Sequence, residues 1–341
     1  MYTSIEICAG AGGQALGLEH AGFSHIALVE YEQEYCNCLK SNRPEWNVIC
    51  QDVHNFSGIP YANQIDLLAG GVPCPPFSVA GKQLGAKDER DLFPQMLRLV
   101  KEIKPRIVMI ENVRGLLDVK FDAYRNKILK KLKQLGYNTP HIQLVNASDY
   151  GVPQLRPRVI IIAVRKDLHD IFEFPETNTQ SPIYVGDTLY DLMAANGWKE
   201  VENWKSGANK IAPTIVGGSK KHGGPDLGPT RAKKAWAELG VDGMGIANDA
   251  PEPDFKGMPR LTPRMLARIQ GFPDSWNFGK WKTAACRMIG NAFPPPVATK
   301  IGLQIIKVLE NERIHSRSTE ILPQGITIQR GIDCRQQGYP K

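Results

Sequence analysis

The thiol of Cys74 lies in Gly70-Gly71-Val72-Pro73-Cys74-Pro75-Pro76-Phe77-Ser78, directly after the apolar run Ile65-Asp66-Leu67-Leu68-Ala69. The run reads as a buried strand. The glycines permit a sharp turn, and the prolines stiffen the segment beyond it. A thiol on a stiff loop at the carboxyl end of a strand has the placement of a nucleophile. Free cysteine is also among the most buried residue types, so the loop read alone leaves core filler open. Three acids end apolar runs in the same way: Glu30, Asp52 and Glu111. Arg156 and Arg158 follow Gln154 at steps of two, which places them on one face of an extended chain.

Such groups need a scaffold that brings strand ends together, and the order of apolar runs supplies one. Residues 4–9 read as a strand, Gly10-Ala11-Gly12-Gly13 breaks it, and a helix starts at Gln14 and runs to Ala21. Strand, glycine turn and helix let a nucleotide-like ligand lie against the backbone at a switch point of a doubly wound sheet. Any tight strand-to-helix turn also wants glycine, and Gly-x-Gly-Gly is not the full dinucleotide fingerprint. Glu30, about 20 residues on, stands where a ribose diol would be held, with Tyr31 able to cover a purine face. A helix-capping acid and a surface tyrosine fit those two residues equally. Asp52, after the run 47–50, could accept from an adenine amino group. Three strands each delivering a polar residue to one edge point to a cofactor containing adenosine.

Further strands are expected at 106–110 and 159–164. Helices are expected from Asp91 through Lys101, over 120–135, from Thr262 and Pro263 to about Gln270, and over 298–309. Residues 79–90 are polar, carry Gly81 and Gly85, and read as a lid. From about 175 to 260 regular periodicity is weak, which marks a second, smaller domain. Within it Lys205, Lys210, Lys220, Lys221, Arg231, Lys233 and Lys234 face a single acid, Asp226. The basic glycine-rich loop at 217–224 suits phosphates and groove edges, although a solvated loop is the commoner fate of such runs.

With 341 residues, 42% apolar and 23% charged, the chain has the composition of a globular protein with a sizeable core. A net charge of +7 permits a polyanionic partner without requiring one. No signal peptide or membrane-spanning run is visible, so a cytoplasmic location is expected. The seven cysteines are scattered and odd in number, which suggests reduced thiols, and none has metal-site spacing.

Taken in order, the motifs resemble those of the cytosine-C5 DNA methyltransferase family. The resemblance covers about 1–170 and 258–309. It rests on Ala9-Gly10-Ala11-Gly12-Gly13, Pro73-Cys74-Pro75-Pro76-Phe77-Ser78, Glu111-Asn112-Val113, Gln154-x-Arg156-x-Arg158, Arg264 with Gln270-Gly271-Phe272-Pro273, and Gly290-Asn291-Ala292. It implies an α/β, Rossmann-like sheet that uses S-adenosyl-L-methionine, with a smaller target-recognition domain. The expected division is a catalytic and cofactor domain at 1–172, target recognition at 173–262, a return to the catalytic domain at 263–312, and a polar tail at 313–341.

The implied activity is methyl transfer to C5 of a cytosine flipped out of a specific double-stranded DNA site. In that chemistry Cys74 adds to C6, which makes C5 nucleophilic. A thiol of ordinary pKa is only a few per cent thiolate at neutral pH, a handicap of about 2 kcal/mol that nearby arginines could lessen. Glu111 would hold or donate a proton at N3. Arg158 would grip the base and support Glu111, and Arg156 would steady the nucleophile loop. For the cofactor, the resemblance assigns Ala9, Gly10, Gly12, Gly13, Glu30, Tyr31, Asp52, Pro73, Leu92 and Asn291. For DNA it assigns Ser78, Lys82, Gln83, Arg90, Thr214, Lys220, Lys221 and Arg231.

Two positions depart from the pattern. Cys8 stands where relatives commonly carry Phe, which alters one adenine contact, and Met265 stands where many carry Glu. The expected partner is duplex DNA, with no metal and no membrane. The expected form is a monomer in a restriction-modification system, beside a cognate endonuclease. The alternatives are a tRNA cytosine-C5 methyltransferase, against which the Pro-Cys-Pro-Pro-Phe-Ser motif speaks, and a non-catalytic DNA-recognition subunit, which would not need Cys74, Glu111, Arg156 and Arg158.

Overall fold

The computed structural model describes residues 1–73, 91–168, 172–177, 181–217 and 225–320, with side chains described to 312. The nucleophile loop from Cys74, the lid at 79–90, the loop at 218–224 and the tail beyond 320 lie outside the described residues. The described strands form one seven-stranded sheet in the order β3-β2-β1-β4-β5-β7-β6. They are β1 (Tyr2–Ile7), β2 (Phe23–Glu30), β3 (Val48–Cys50), β4 (Leu67–Gly71), β5 (Ile107–Val113), β6 (His141–Asn146) and β7 (Pro157–Val164). β1 to β5 run parallel, while β7 lies antiparallel between β5 and β6. Strand order reverses between β1 and β4, and ligands of doubly wound sheets bind outside the carboxyl ends at such a switch point.

Alternation along the central strands sorts side chains onto two faces. Leu68, Val108, Ile110, Val159 and Ile161 pack with α3 (Phe93–Ile103) and α4 (Asp122–Gln134). Leu67, Ala69, Ile107, Met109, Ile160 and Ile162 face the other way, with Leu18 of α1 (Gly13–Ala21) and Val297 and Ile301 of α10 (Pro295–Glu320). A third cluster joins α1, α2 (Gln33–Asn42), α8 (Pro263–Ile269) and α9 (Lys282–Asn291) to the segment between β7 and α8.

That segment is more regular than its composition indicates. It contains α5 (Val185–Met193), α6 (Val201–Gly207) and α7 (Thr230–Ala237), closed over Trp204 and Trp236. Strand β6 was not expected either. Glu111 lies inside β5 rather than beyond its end. Helix α10 continues past 309 through Glu320, into the stretch expected to be an aperiodic tail. Helix α8 begins as expected: Thr262 accepts from Met265 N at 3.3 Å, Pro263 occupies the first turn, and Gly271 follows at φ 90°. Met265 Sδ accepts from Thr262 N at 3.4 Å, so the thioether takes the place a carboxylate would fill in the reciprocal cap.

Candidate active site

Register brings the chemistry together. Gly71 at the end of β4 pairs with Glu111 on β5, and Val113 of β5 pairs with Arg158 at the start of β7. Arg158 Nε donates to Glu111 Oε1 at 2.8 Å, and both side chains are nearly buried. Burial pushes the Glu111 carboxyl above its ordinary range, opposed by the charges of Arg158 and Arg156. Burial also pulls the Arg158 guanidinium down, opposed by Glu111. The pair is therefore poised to hold a proton on the carboxyl at a higher pH than a surface glutamate would. A Cβ on Gly71 would stand 3.0 Å from Glu111 Oε2, so the absence of a side chain there admits the carboxylate to the β4 edge. Asn112 donates to Val72 O at 2.9 Å and accepts from Val113 N at 2.9 Å, tying β5 to the chain that leads into Cys74.

Arg156 is arranged differently from Arg158. Its side chain is 1% exposed and donates to three main-chain carbonyls: Ile215 at 2.9 Å, Gly290 at 2.7 Å and Ala292 at 2.9 Å. The expected hold of Arg156 on the nucleophile loop falls outside the described residues. Within them it fastens the segment between β7 and α8 and the turn around Asn291 to the base of β7. Gln154 and Gln270, both buried, extend this clasp. Gln154 Nε2 donates to Gln270 Oε1 at 2.6 Å, Gln154 Oε1 accepts from Ile215 N at 2.9 Å, and Gln270 Nε2 donates to Ala292 O. Neither glutamine was singled out as a site residue. The signal was present in the two-residue spacing of Gln154, Arg156 and Arg158.

On the β1–β2 side, Glu30 is buried and its carboxylate accepts three backbone N–H groups. Gly10 N reaches Oε2 at 2.8 Å, and Tyr31 N and Glu32 N each reach Oε1 at 2.9 Å. Burial raises its pKa and the backbone donors lower it. Cys8 and Gly10 both have positive φ, 54° and 56°. For a non-glycine residue that conformation costs about 1 kcal/mol or more and clusters at functional sites. Around the position of a Gly10 Cβ the nearest atom is Cys8 O at 3.9 Å, so the turn is an open cradle beside an acid. Asp52 bonds the backbone and ring of His54 through Oδ1, which lowers its pKa. Tyr31 is 66% exposed. Ala9 is buried, Gly12 and Gly13 lie at the start of α1, Leu92 caps α3, and Pro73 is exposed at the last described position before Cys74. Asn291 ends α9 against Gly217. A cradle open above glycine, an acid for a diol and an exposed aromatic face together fit an adenosine-bearing group.

Of the residues expected to meet DNA, Ser78, Lys82, Gln83, Arg90, Lys220 and Lys221 lie outside the described residues. Thr214 donates to Leu155 O beside the clasp, and Arg231 is exposed on α7. Among the described residues, no helix is long and apolar enough to cross a membrane and no group of three potential metal ligands is present.

Known proteins resemble this chain in sequence and in fold. Residues 2–307 match the family model of the C-5 cytosine-specific DNA methylase. The chain is 54% identical to Type II methyltransferase M.NgoMIV of Neisseria gonorrhoeae over 314 residues, 91% of this chain and 99% of that protein. It is also 54% identical to Type II methyltransferase M.NaeI of Lentzea aerocolonigenes, over 90% of this chain and 75% of that one. A crystal structure described as a DNA modification methyltransferase encoded within an Escherichia coli prophage superposes with a TM-score of 0.65 at 26% identity, covering 91% of this chain and 100% of that one. A mutant of Spodoptera frugiperda DNMT2 shares the fold at a TM-score of 0.64 and 18% identity, over 91% of this chain and 100% of that one.

Proposed function

We infer the roles of individual residues from one premise: the chain belongs to the C-5 cytosine-specific DNA methylase family and is a DNA (cytosine-5-)-methyltransferase using S-adenosyl-L-methionine. The donor, when bound, supplies a methyl group made electrophilic by its sulfonium. In our reading Glu30 meets the ribose diol, Asp52 and Tyr31 the adenine, and the Gly10–Gly13 turn and Asn291 the methionine end. Ala9, Pro73 and Leu92 line the same crevice.

The thiolate of Cys74 forms a bond to C6 of a flipped cytosine, and the ring π electrons move toward C5. Glu111 holds the proton that N3 needs as the ring gains electron density. Arg158 fixes the orientation of that carboxyl and presents positive charge to the base. Loss of the C5 proton after substitution restores the ring double bond and expels Cys74. Residues 173–262 form the target-recognition unit, with Thr214, Lys220, Lys221 and Arg231 toward DNA. Ser78, Lys82, Gln83 and Arg90 attend the flipped base. The protein works as a monomer in the cytoplasm, as the modification half of a restriction-modification pair.

The observation that carries this reading is the nearly buried Arg158–Glu111 pair at 2.8 Å, one strand from the chain that leads toward Cys74. Bisulfite mapping of DNA from cells expressing the protein gives the target site. Duplexes carrying 5-fluorocytosine at the mapped base should then form a covalent adduct, and Cys74→Ser should form none. An adduct that persists in Cys74→Ser removes this thiol from the mechanism.

A further inference from the structure

Two cysteines on the adenosine side of the sheet have no part in the reaction. Cys50 ends β3, in register with Glu30 of β2. Gln33 begins α2, and Cys36, three residues on, shares its helix face. Cys50 Sγ bonds Gln33 Oε1 at 3.4 Å, and Cys36 Sγ donates to Glu30 O at 3.3 Å. Both thiols therefore lie against the same short stretch of chain, Cys36 through Glu30 O and Cys50 through the Gln33 side chain. Both are free, Cys36 wholly buried and Cys50 exposed. Glu30 O also accepts from Gln51 N at 2.9 Å, and Asp52 follows one residue later. The thiols thus bracket the main chain that presents both proposed adenosine ligands.

We propose that Cys36 and Cys50 form a redox-active dithiol that closes to a disulfide by exchange with a low-molecular-weight disulfide, and that the closed form binds S-adenosyl-L-methionine more weakly. This rests on the assignment of Glu30 and Asp52 to the cofactor. Exposed Cys50 is the thiol a soluble disulfide can reach. Its sulfur, after losing its proton, attacks one sulfur of the reagent and releases one small thiol. Cys36 then loses its proton, attacks Cys50 Sγ and releases the second. Two protein thiols are oxidised and one reagent disulfide is reduced to two thiols. A disulfide of about 2.05 Å requires Cys36 Sγ to leave Glu30 O. It draws the first turn of α2 and the end of β3 together on either side of Glu30. Because coupling between sites is reciprocal, a cofactor that favours the open form makes the dithiol harder to oxidise.

The test uses full-length protein carrying Cys74→Ser, so that oxidation of that thiol does not enter the readout. Samples are equilibrated across glutathione redox ratios, alkylated and digested. The expected results are a linked peptide pair containing Cys36 and Cys50, and affinity for S-adenosyl-L-methionine lowered about tenfold by calorimetry. Saturating cofactor should then raise the midpoint potential by about 30 mV, the equivalent of that factor for two electrons. Adding Cys50→Ser should abolish all three. Absence of the linked pair in fully oxidised glutathione, a glutathione adduct on Cys50 alone, or a linked protein with unchanged affinity overturns the proposal. Reduced Glu30→Gln protein tests the cofactor assignment separately. Undiminished binding there overturns that assignment, whereas formation of the linked pair does not depend on where the cofactor sits.

Discussion

Glu111 is caught between burial, which favours its neutral form, and Arg158, which favours its charged one. Glu111→Gln keeps the shape and removes the titrating proton. Turnover in a tritiated-methyl assay should fall by about 10² to 10⁴, the usual worth of a positioned acid, with cofactor affinity by calorimetry unchanged. Glu6 on β1 is buried more completely, and burial pushes its carboxyl up to about 8. Its folded form binds a proton that the unfolded chain releases near pH 4.5. Its contribution to stability is therefore full below the unfolded value and is lost as pH rises toward 8. Glu6→Gln should flatten urea stability across that window and gain a few kcal/mol over wild type above pH 8, at about 1.4 kcal/mol per pH unit. Glu111 and Arg158 were legible because they meet across neighbouring strands. The carbonyl partners of Arg156 were not, because main-chain oxygens from distant segments leave no mark in side-chain spacing.

Element boundaries followed the same logic. The α8 start was readable because Thr262 and Pro263 are local signals, and its cap is observed. Thr262→Ala should cost about 1 kcal/mol in urea denaturation, and Thr262→Ser should recover most of it. Helices α5, α6 and α7 were missed because each is short and is stabilised by contacts made far along the chain. Trp198 stacks edge-on against Phe255 and donates to Phe255 O at 3.0 Å. Strand β6 was missed because it is a half-exposed edge whose alternation is diluted by His141, Gln143 and Asn146. The central parallel strands were easy because burial on both faces leaves near-continuous apolar runs.

At the scale of the whole molecule, one buried cluster spans the glycine turn, α5 to α7 and α8 to α9, with Trp204, Trp236 and Trp276 inside it. The Arg156 clasp crosses the same junction, joining residues 59, 134 and 136 positions apart in sequence. Arg156→Met removes the donors and strands the buried carbonyls of Ile215 and Gly290, while Ala292 O keeps the Gln270 amide. It should destabilise the chain by about 3–5 kcal/mol in equilibrium urea unfolding, read by tryptophan fluorescence. A loss under about 1 kcal/mol would mean that water replaces the guanidinium at little cost.

The acceptors of that clasp are peptide oxygens, and every residue type carries one. The side chain at 215 can therefore vary among apolar types without loosening the joint, provided the main chain keeps its path. Gly217 and Gly290 must stay bare, because a Cβ at 290 would collide with Gly217 N and one at 217 with Asn291 Oδ1. Chimeras that exchange the segment between β7 and α8 among related enzymes have a clear design rule: splice so that a carbonyl still arrives where Ile215 now presents its own, and ask of that residue only that its buried side chain be apolar.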